Sequence, residues 1–105
     1  MIARIWRGAT RACDAAAYTA YLERTGVREC QATPGNRGVT VLQRIVGERA
    51  EFAFISYWNT LGDVTAFAGA DIAVARFFPE DDAYLIEREL TVAHFEVAAG
   101  APVAA

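Results

Sequence analysis

His94 is the only histidine in this 105-residue chain. No other side chain exchanges a proton near neutral pH without a large pKa shift, so His94 is the natural place for a general base. It stands in the alternating stretch "ELTVAHFEV", where a histidine serves equally as a hydrogen-bonded core or interface residue. Three consecutive acids, Glu80-Asp81-Asp82, raise the question of metal ligation. They follow Pro79, which suits the first position of a helix, and carboxylates are favoured at the positive end of a helix dipole. No second ligand type lies nearby, so the acids are expected to begin a helix, with no metal bound. The chain has no lysine, which removes Schiff-base chemistry. Cys13 and Cys30 flank a stretch expected to be helical, which puts them beyond the roughly 7 Å Cα reach of a disulfide. Both are expected to be reduced and structural.

The elements that must position these residues follow from periodicity and punctuation. Residues 2–8, "IARIWRG", read as a first strand ended by Gly8. A helix capped by Asp14 follows, with Tyr18, Tyr21 and Leu22 at helical spacing, and fades near Thr25-Gly26. Residues 31–38, "QATPGNRG", are a turn-rich loop. Val39 to Gly47 and Ala50 to Trp58 are two strands joined by a tight hairpin. Thr60 caps a second helix with Asp63 three residues on, Val64, Phe67 and Ala68 form its apolar stripe, and Gly69 ends it. Asp71 is expected to cap a short helix carrying Ile72, Ala75, Arg76 and Phe77-Phe78, and the last strand to run from Glu89 to Val97. The order β-α-β-β-α-(α)-β is that of an α+β, ferredoxin-like antiparallel sheet with helices on one face.

The third strand places Phe52 and Phe54 on one side and Ala53, Ile55 and Tyr57 on the other. A monomer would leave one of these sets in water, at about 25 cal/mol per Å² of apolar surface. With 54% hydrophobic residues, the chain has more apolar surface than a small single copy hides, so a homodimer with two sheets closed into a barrel is expected. Net charge is −3 and the arginines are scattered, which argues against nucleic acid as a partner. No apolar run reaches the roughly 20 residues that span a bilayer, and the start lacks a signal-peptide profile, so no membrane partner and a cytoplasmic location are expected. Residues 1–97 form one domain, and residues 98–105, ending "APVAA", a flexible C-terminal tail.

With "MIARIWRG", "ISYWNTLGDVTAFAG" and "HFEV" in register, residues 1–97 resemble the antibiotic biosynthesis monooxygenase-like domain of the dimeric α/β-barrel superfamily. The resemblance implies a pocket between the sheet and the helices of each subunit. Members include oxygenases that convert aromatic polyketides to quinones with neither metal nor flavin, haem-degrading oxygenases and quinol oxygenases. Anchored on Trp58, the family's pocket tryptophan falls at Phe67 and its haem-ligating histidine at Phe77, which cannot bind iron. The resemblance implies a cofactor-independent monooxygenase acting on a small aromatic or quinol-type molecule, with no cofactor; a haem-degrading monooxygenase, in which His94 would have to be the shifted ligand, is a further alternative. Trp6, Tyr57, Trp58, Phe67, Phe77 and Tyr84 would line a slot for a flat ring. His94 would handle the proton, and Arg76, or Arg4 or Arg7 on the first strand, would hold the resulting anion. Arg76 has the alternative of pairing with Asp71 or Glu80, Trp58 that of sealing the core, and Phe67 and Phe77 that of packing as helix-stripe residues. A non-catalytic dimer that binds a small apolar molecule is the rival reading.

Overall fold

The computed structural model describes residues 1–100. The last five residues of the expected tail lie outside the described residues. Strand β1 (Ile2–Arg11) passes through a 3-10 turn into α1 (Ala15–Leu22), a π-helical stretch (Glu23–Val27) and α2 (Arg28–Ala32). Then come β2 (Asn36–Val46), β3 (Arg49–Trp58), α3 (Leu61–Ala68), α4 (Asp81–Tyr84), β4 (Leu85–Arg88) and β5 (Ala93–Glu96). All strand pairs are antiparallel, in the order β2-β3-β1-β4, with β5 also on β1. This is the α+β ferredoxin-like arrangement, with the fourth sheet position shared by β4 and β5.

Local chemistry explains several boundaries. The hairpin between β2 and β3 turns at Gly47, whose φ of 62° is a conformation that glycine adopts without strain. Thr60 caps α3 by accepting the Asp63 N–H at 3.2 Å, and Gly69 closes that helix at φ 91°. Asp14 precedes α1, but its carboxylate turns back to Arg11 at 3.0 Å and does not cap. The helical run continues past Gly26 to Ala32. Thr25 Oγ1 donates to the Tyr21 carbonyl at 2.7 Å, taking up an acceptor of the regular ladder where the backbone widens into its π stretch.

Two expectations are corrected between Asp71 and Val97. The segment bearing Ile72, Ala75 and Arg76 is not a helix. Its backbone pairs with residues 90–92 instead: Ala75 N–H donates to Leu90 O at 3.0 Å, Val92 N–H to Ala73 O at 2.9 Å, and Val74 bridges Thr91. Asp71 accordingly caps only a turn, accepting the Ala73 N–H at 3.2 Å. Residues 90–92 leave β1 to make those bonds, so the single strand expected over Glu89–Val97 is broken, and β4 and β5 flank the break. Trp6 Nε1 pins the exit by donating to Glu89 O at 2.8 Å, and Glu89 N–H reaches Arg7 O at 3.0 Å.

The sheet has two unlike faces. Toward the helices it presents Arg4, Trp6, Phe52, Phe54, Ser56 and Trp58, all buried. The opposite face carries Ala3, Ile5, Ala53, Ile55 and Tyr57, half-buried at the centre, with Leu42 and Phe95 exposed toward its margins and Arg7 and the ion-paired Arg44, Arg49 and Glu51 toward one end. The alternation read on β3 is therefore the alternation found.

Candidate active site

A cavity of about 40 Å³ lies between the helix-facing side of the sheet and the segment Ala75–Phe78. Trp6 and Phe54 from the sheet, Phe67 from α3, and Phe77 and Phe78 from the covering segment give it aromatic walls. Trp6 meets Phe77 edge-on at 6.0 Å between centroids. The Trp6 indole lies across Gly8, where a Cβ would stand 2.4 Å from its Cη2, so only glycine leaves room for it. Gly26 packs closely under Phe54 from the π stretch, where a Cβ would stand 3.2 Å from the ring.

Two guanidinium groups enter this aromatic cavity. Arg4 is 4% exposed, its Nη2 donates to Val74 O at 3.1 Å, and its group lies 5.7 Å from the Phe67 centroid. It has no carboxylate partner among the described residues, and its Nε is buried without a hydrogen bond. Burial lowers its pKa, with Cys30 acting the other way. Burial in turn pushes the Cys30 thiol up to about 12, so it stays neutral and supplies no counter-charge. Arg76 is less confined. Its Nη1 donates to Phe67 O at 2.9 Å, Glu29 stands 4.0 Å away, and the group stacks on Phe67 and Phe78 at 5.0 and 4.7 Å.

Asp81 also reaches the cavity, and sequence reasoning treated it only as a helix-starting acid. It is 4% exposed, accepting the Tyr18 hydroxyl at 3.0 Å and the Phe78 N–H at 2.6 Å. Burial first, and Asp81 second, raise the Tyr18 pKa far above its usual value, so this phenol stays protonated. The pair ties α1 to the covering segment, and nothing in the sequence separates this acid from its neighbours. Among the described residues no group of three or more His, Cys, Asp or Glu is placed to hold a metal ion.

His94 lies on β5 directly across from Arg4, hence on the same face of the sheet. It does not line the cavity wall itself. Its Nε2 is buried without a hydrogen-bond partner, and burial, then Arg4, lower its pKa. Of the residues expected around one slot, the structure brings together Trp6, Phe67, Phe77 and Arg76, with Arg4 in place of Arg7. Three others are corrected. Tyr57 is on the opposite face of the sheet, because β3 alternates and Trp58 faces inward. Trp58 is fully buried behind Phe67, with its Nε1 on Ser56 Oγ at 2.9 Å. Tyr84 packs on Tyr18 and Tyr21, 5.6 Å from each, away from the cavity.

No family model matches the sequence, and no significant match exists among curated proteins. Solved structures do match. The heme-degrader MhuD from Mycobacterium tuberculosis, with two hemes bound in its active site, has a TM-score of 0.57 and 18% identity over 97% of this chain and 100% of that one. A mutant of MhuD with two manganese protoporphyrin IX bound per active site gives 0.59 and 17%, over 97% and 99%. A candidate antibiotic biosynthesis monooxygenase from Bacillus cereus gives 0.57 and 15%, over 99% and 96%. The chain therefore has the antibiotic biosynthesis monooxygenase-like fold over nearly its whole length.

Proposed function

We propose that this protein is a cofactor-independent monooxygenase that oxidises a small aromatic or quinol-type substrate with dioxygen. One observation carries the reading: an aromatic cavity holds a guanidinium, that of Arg4, which is buried and lacks a carboxylate partner. Burying a charge without a counter-ion costs several kcal/mol, and an anion formed inside the cavity offsets that cost. Deprotonation of an electron-rich hydroxyarene produces such an anion. The anion passes one electron to dioxygen, and the two radicals join through a new C–O bond as a peroxide. The proton held by His94 returns to the distal peroxide oxygen, which leaves with it and with the hydrogen of that carbon as water as the O–O bond breaks, and a quinone carbonyl remains. Arg4 stabilises the anionic species, Arg76 orients the ring, His94 takes the proton and later returns it, and the phenylalanines exclude water.

The cavity as it stands has room for little more than a water molecule. Admission of a ring requires the Ala75–Phe78 segment, which has no helix or strand of its own, to give way at Phe77 and Phe78. Haem does not fit this lining. The wall offers no histidine, cysteine or methionine, Phe77 has no ligand atom, and the Tyr18 hydroxyl is committed to Asp81. The non-catalytic reading shares the cavity but predicts binding without oxygen consumption. Oxygen uptake by rigorously metal-free protein across a panel of quinols and anthrones separates the two.

The proposal includes a homodimer in the cytoplasm. The apolar face with Ile5, Ile55, Leu42 and Phe95 is the surface a second copy would cover. Both cysteines are free, as a reducing compartment keeps them.

A further inference from the structure

Two buried side-chain nitrogens lack a hydrogen-bond partner among the described residues, and they belong to cross-strand neighbours. They are Nε of Arg4 on β1 and Nε2 of His94 on β5. Buried polar groups are almost always paired, so two adjacent exceptions require an explanation. Nε of Arg4 can only donate, whereas Nε2 of a neutral imidazole can accept. A hydroxyl oxygen answers both needs at once: it accepts from the guanidinium and donates its own proton to the imidazole. A carboxylate would leave the accepting form of His94 unanswered, and a cation would be repelled by Arg4.

We propose that Arg4 and His94 together form an oxyanion seat for an acidic aromatic hydroxyl, which binds with its oxygen between Arg4 Nε and His94 Nε2. On binding, the ligand O–H bond breaks and an Nε2–H bond forms. The proton rests on His94, and the oxyanion rests against Arg4. Arg76 then has a different role, because it already has a carbonyl acceptor and a carboxylate within 4.0 Å. It flanks the ring stack formed with Phe67 and Phe78 and orients the aromatic body of the ligand. Other charged or titratable groups in this quarter do not compete for the seat: Cys30 stays a neutral thiol, Glu29 lies 4.0 Å from Arg76, and the Asp81 carboxylate is taken up by the Tyr18 hydroxyl and the Phe78 N–H. The ligand class is thus a phenol or enol acidic enough to ionise beside one guanidinium. The inference rests on the reading of the cavity as an aromatic hydroxyl site, but its test uses no turnover.

The probe is 4-nitrophenol, whose ionised form is yellow, added to the full chain under nitrogen at a pH where the free compound is mostly neutral. The bound probe is expected to show the phenolate spectrum. Calorimetry in buffers of different ionisation enthalpy is expected to show almost no proton exchange, because the proton moves to His94. Arg4→Met should weaken binding at least tenfold and abolish the phenolate band, and Arg4→Lys should restore part of it. His94→Gln should bind the phenolate with release of one proton to the buffer. Thermal melting identifies any variant that fails to fold, and in that case the wild-type spectrum and the Arg4→Lys variant decide. The inference is overturned by any of three results: no binding, neutral probe in the bound state, or an unchanged phenolate band in folded Arg4→Met. Absence of oxygen uptake in a protein that passes this test would sink the oxygenase reading and leave the seat standing.

Discussion

His94 and Tyr18 show how burial decides the state of a single group. Burial and Arg4 hold the His94 pKa below its ordinary value, so the folded protein binds fewer protons than the unfolded chain in that range. The contribution of His94 to stability is therefore complete above about pH 6.5 and is lost as the pH falls through that value toward the folded pKa. Urea midpoints measured from about pH 7.5 to 5.5 should decline in the wild type more than in His94→Gln, and equal declines would refute the burial of Nε2. Tyr18→Phe removes the hydroxyl donor to a carboxylate that is 4% exposed, and should cost about 1–3 kcal/mol by chemical denaturation. At this scale the sequence was partly legible. Trp6 and Phe67 stood at spacings that point inward, and Arg76 and Phe77 reach the cavity from a segment whose helical spacing misled, whereas Tyr57 sat one residue from Trp58, and strand alternation sends such neighbours to opposite faces. Arg4 appeared only as an alternative, because a sequence does not show which of several arginines will lack a counter-ion.

Elements were legible where their punctuation is local. The hairpin at Gly47 and the Thr60 cap depend on residues within a few positions of each other, and both formed as read. The segment after Asp71 was misread because its hydrophobic spacing is helical while its backbone bonds are spent on residues 90–92, a pairing about 17 residues distant. The break in the last strand is the other half of that pairing. Trp6 holds it, which gives Gly8 a consequence beyond its own strand. Gly8→Val would force the indole aside, breaking its bond to Glu89 O, and should cost about 1–3 kcal/mol. The expected sign is a red-shifted tryptophan fluorescence with the fold retained. An unchanged spectrum and stability would mean that the break holds without Trp6.

The whole molecule has one face of its sheet under helices and another that is uncovered, where an apolar strip through Ile5, Ile55, Leu42 and Phe95 lies beside the ion pairs of Arg44, Arg49 and Glu51. Transfer of that second face out of water contributes about 25 cal/mol per Å², which is the driving force assigned to dimer formation. Sedimentation equilibrium should find twice the mass of one chain, and Ile55→Glu should return it to a single copy while the cavity stays intact. A wild-type monomer at micromolar concentration would remove the barrel. The fold itself, shared with structures under 20% identical, was visible from the order of strands and helices alone.

The central claim, that the aromatic cavity beside Arg4 and His94 reduces dioxygen with the electrons of a bound hydroxyarene, is tested most directly with an oxygen electrode. Metal-free protein should consume oxygen with at least one quinol or anthrone faster than the uncatalysed solution, and His94→Ala should lose most of that rate while remaining folded. Background uptake across the whole panel, or full activity in His94→Ala, would contradict it.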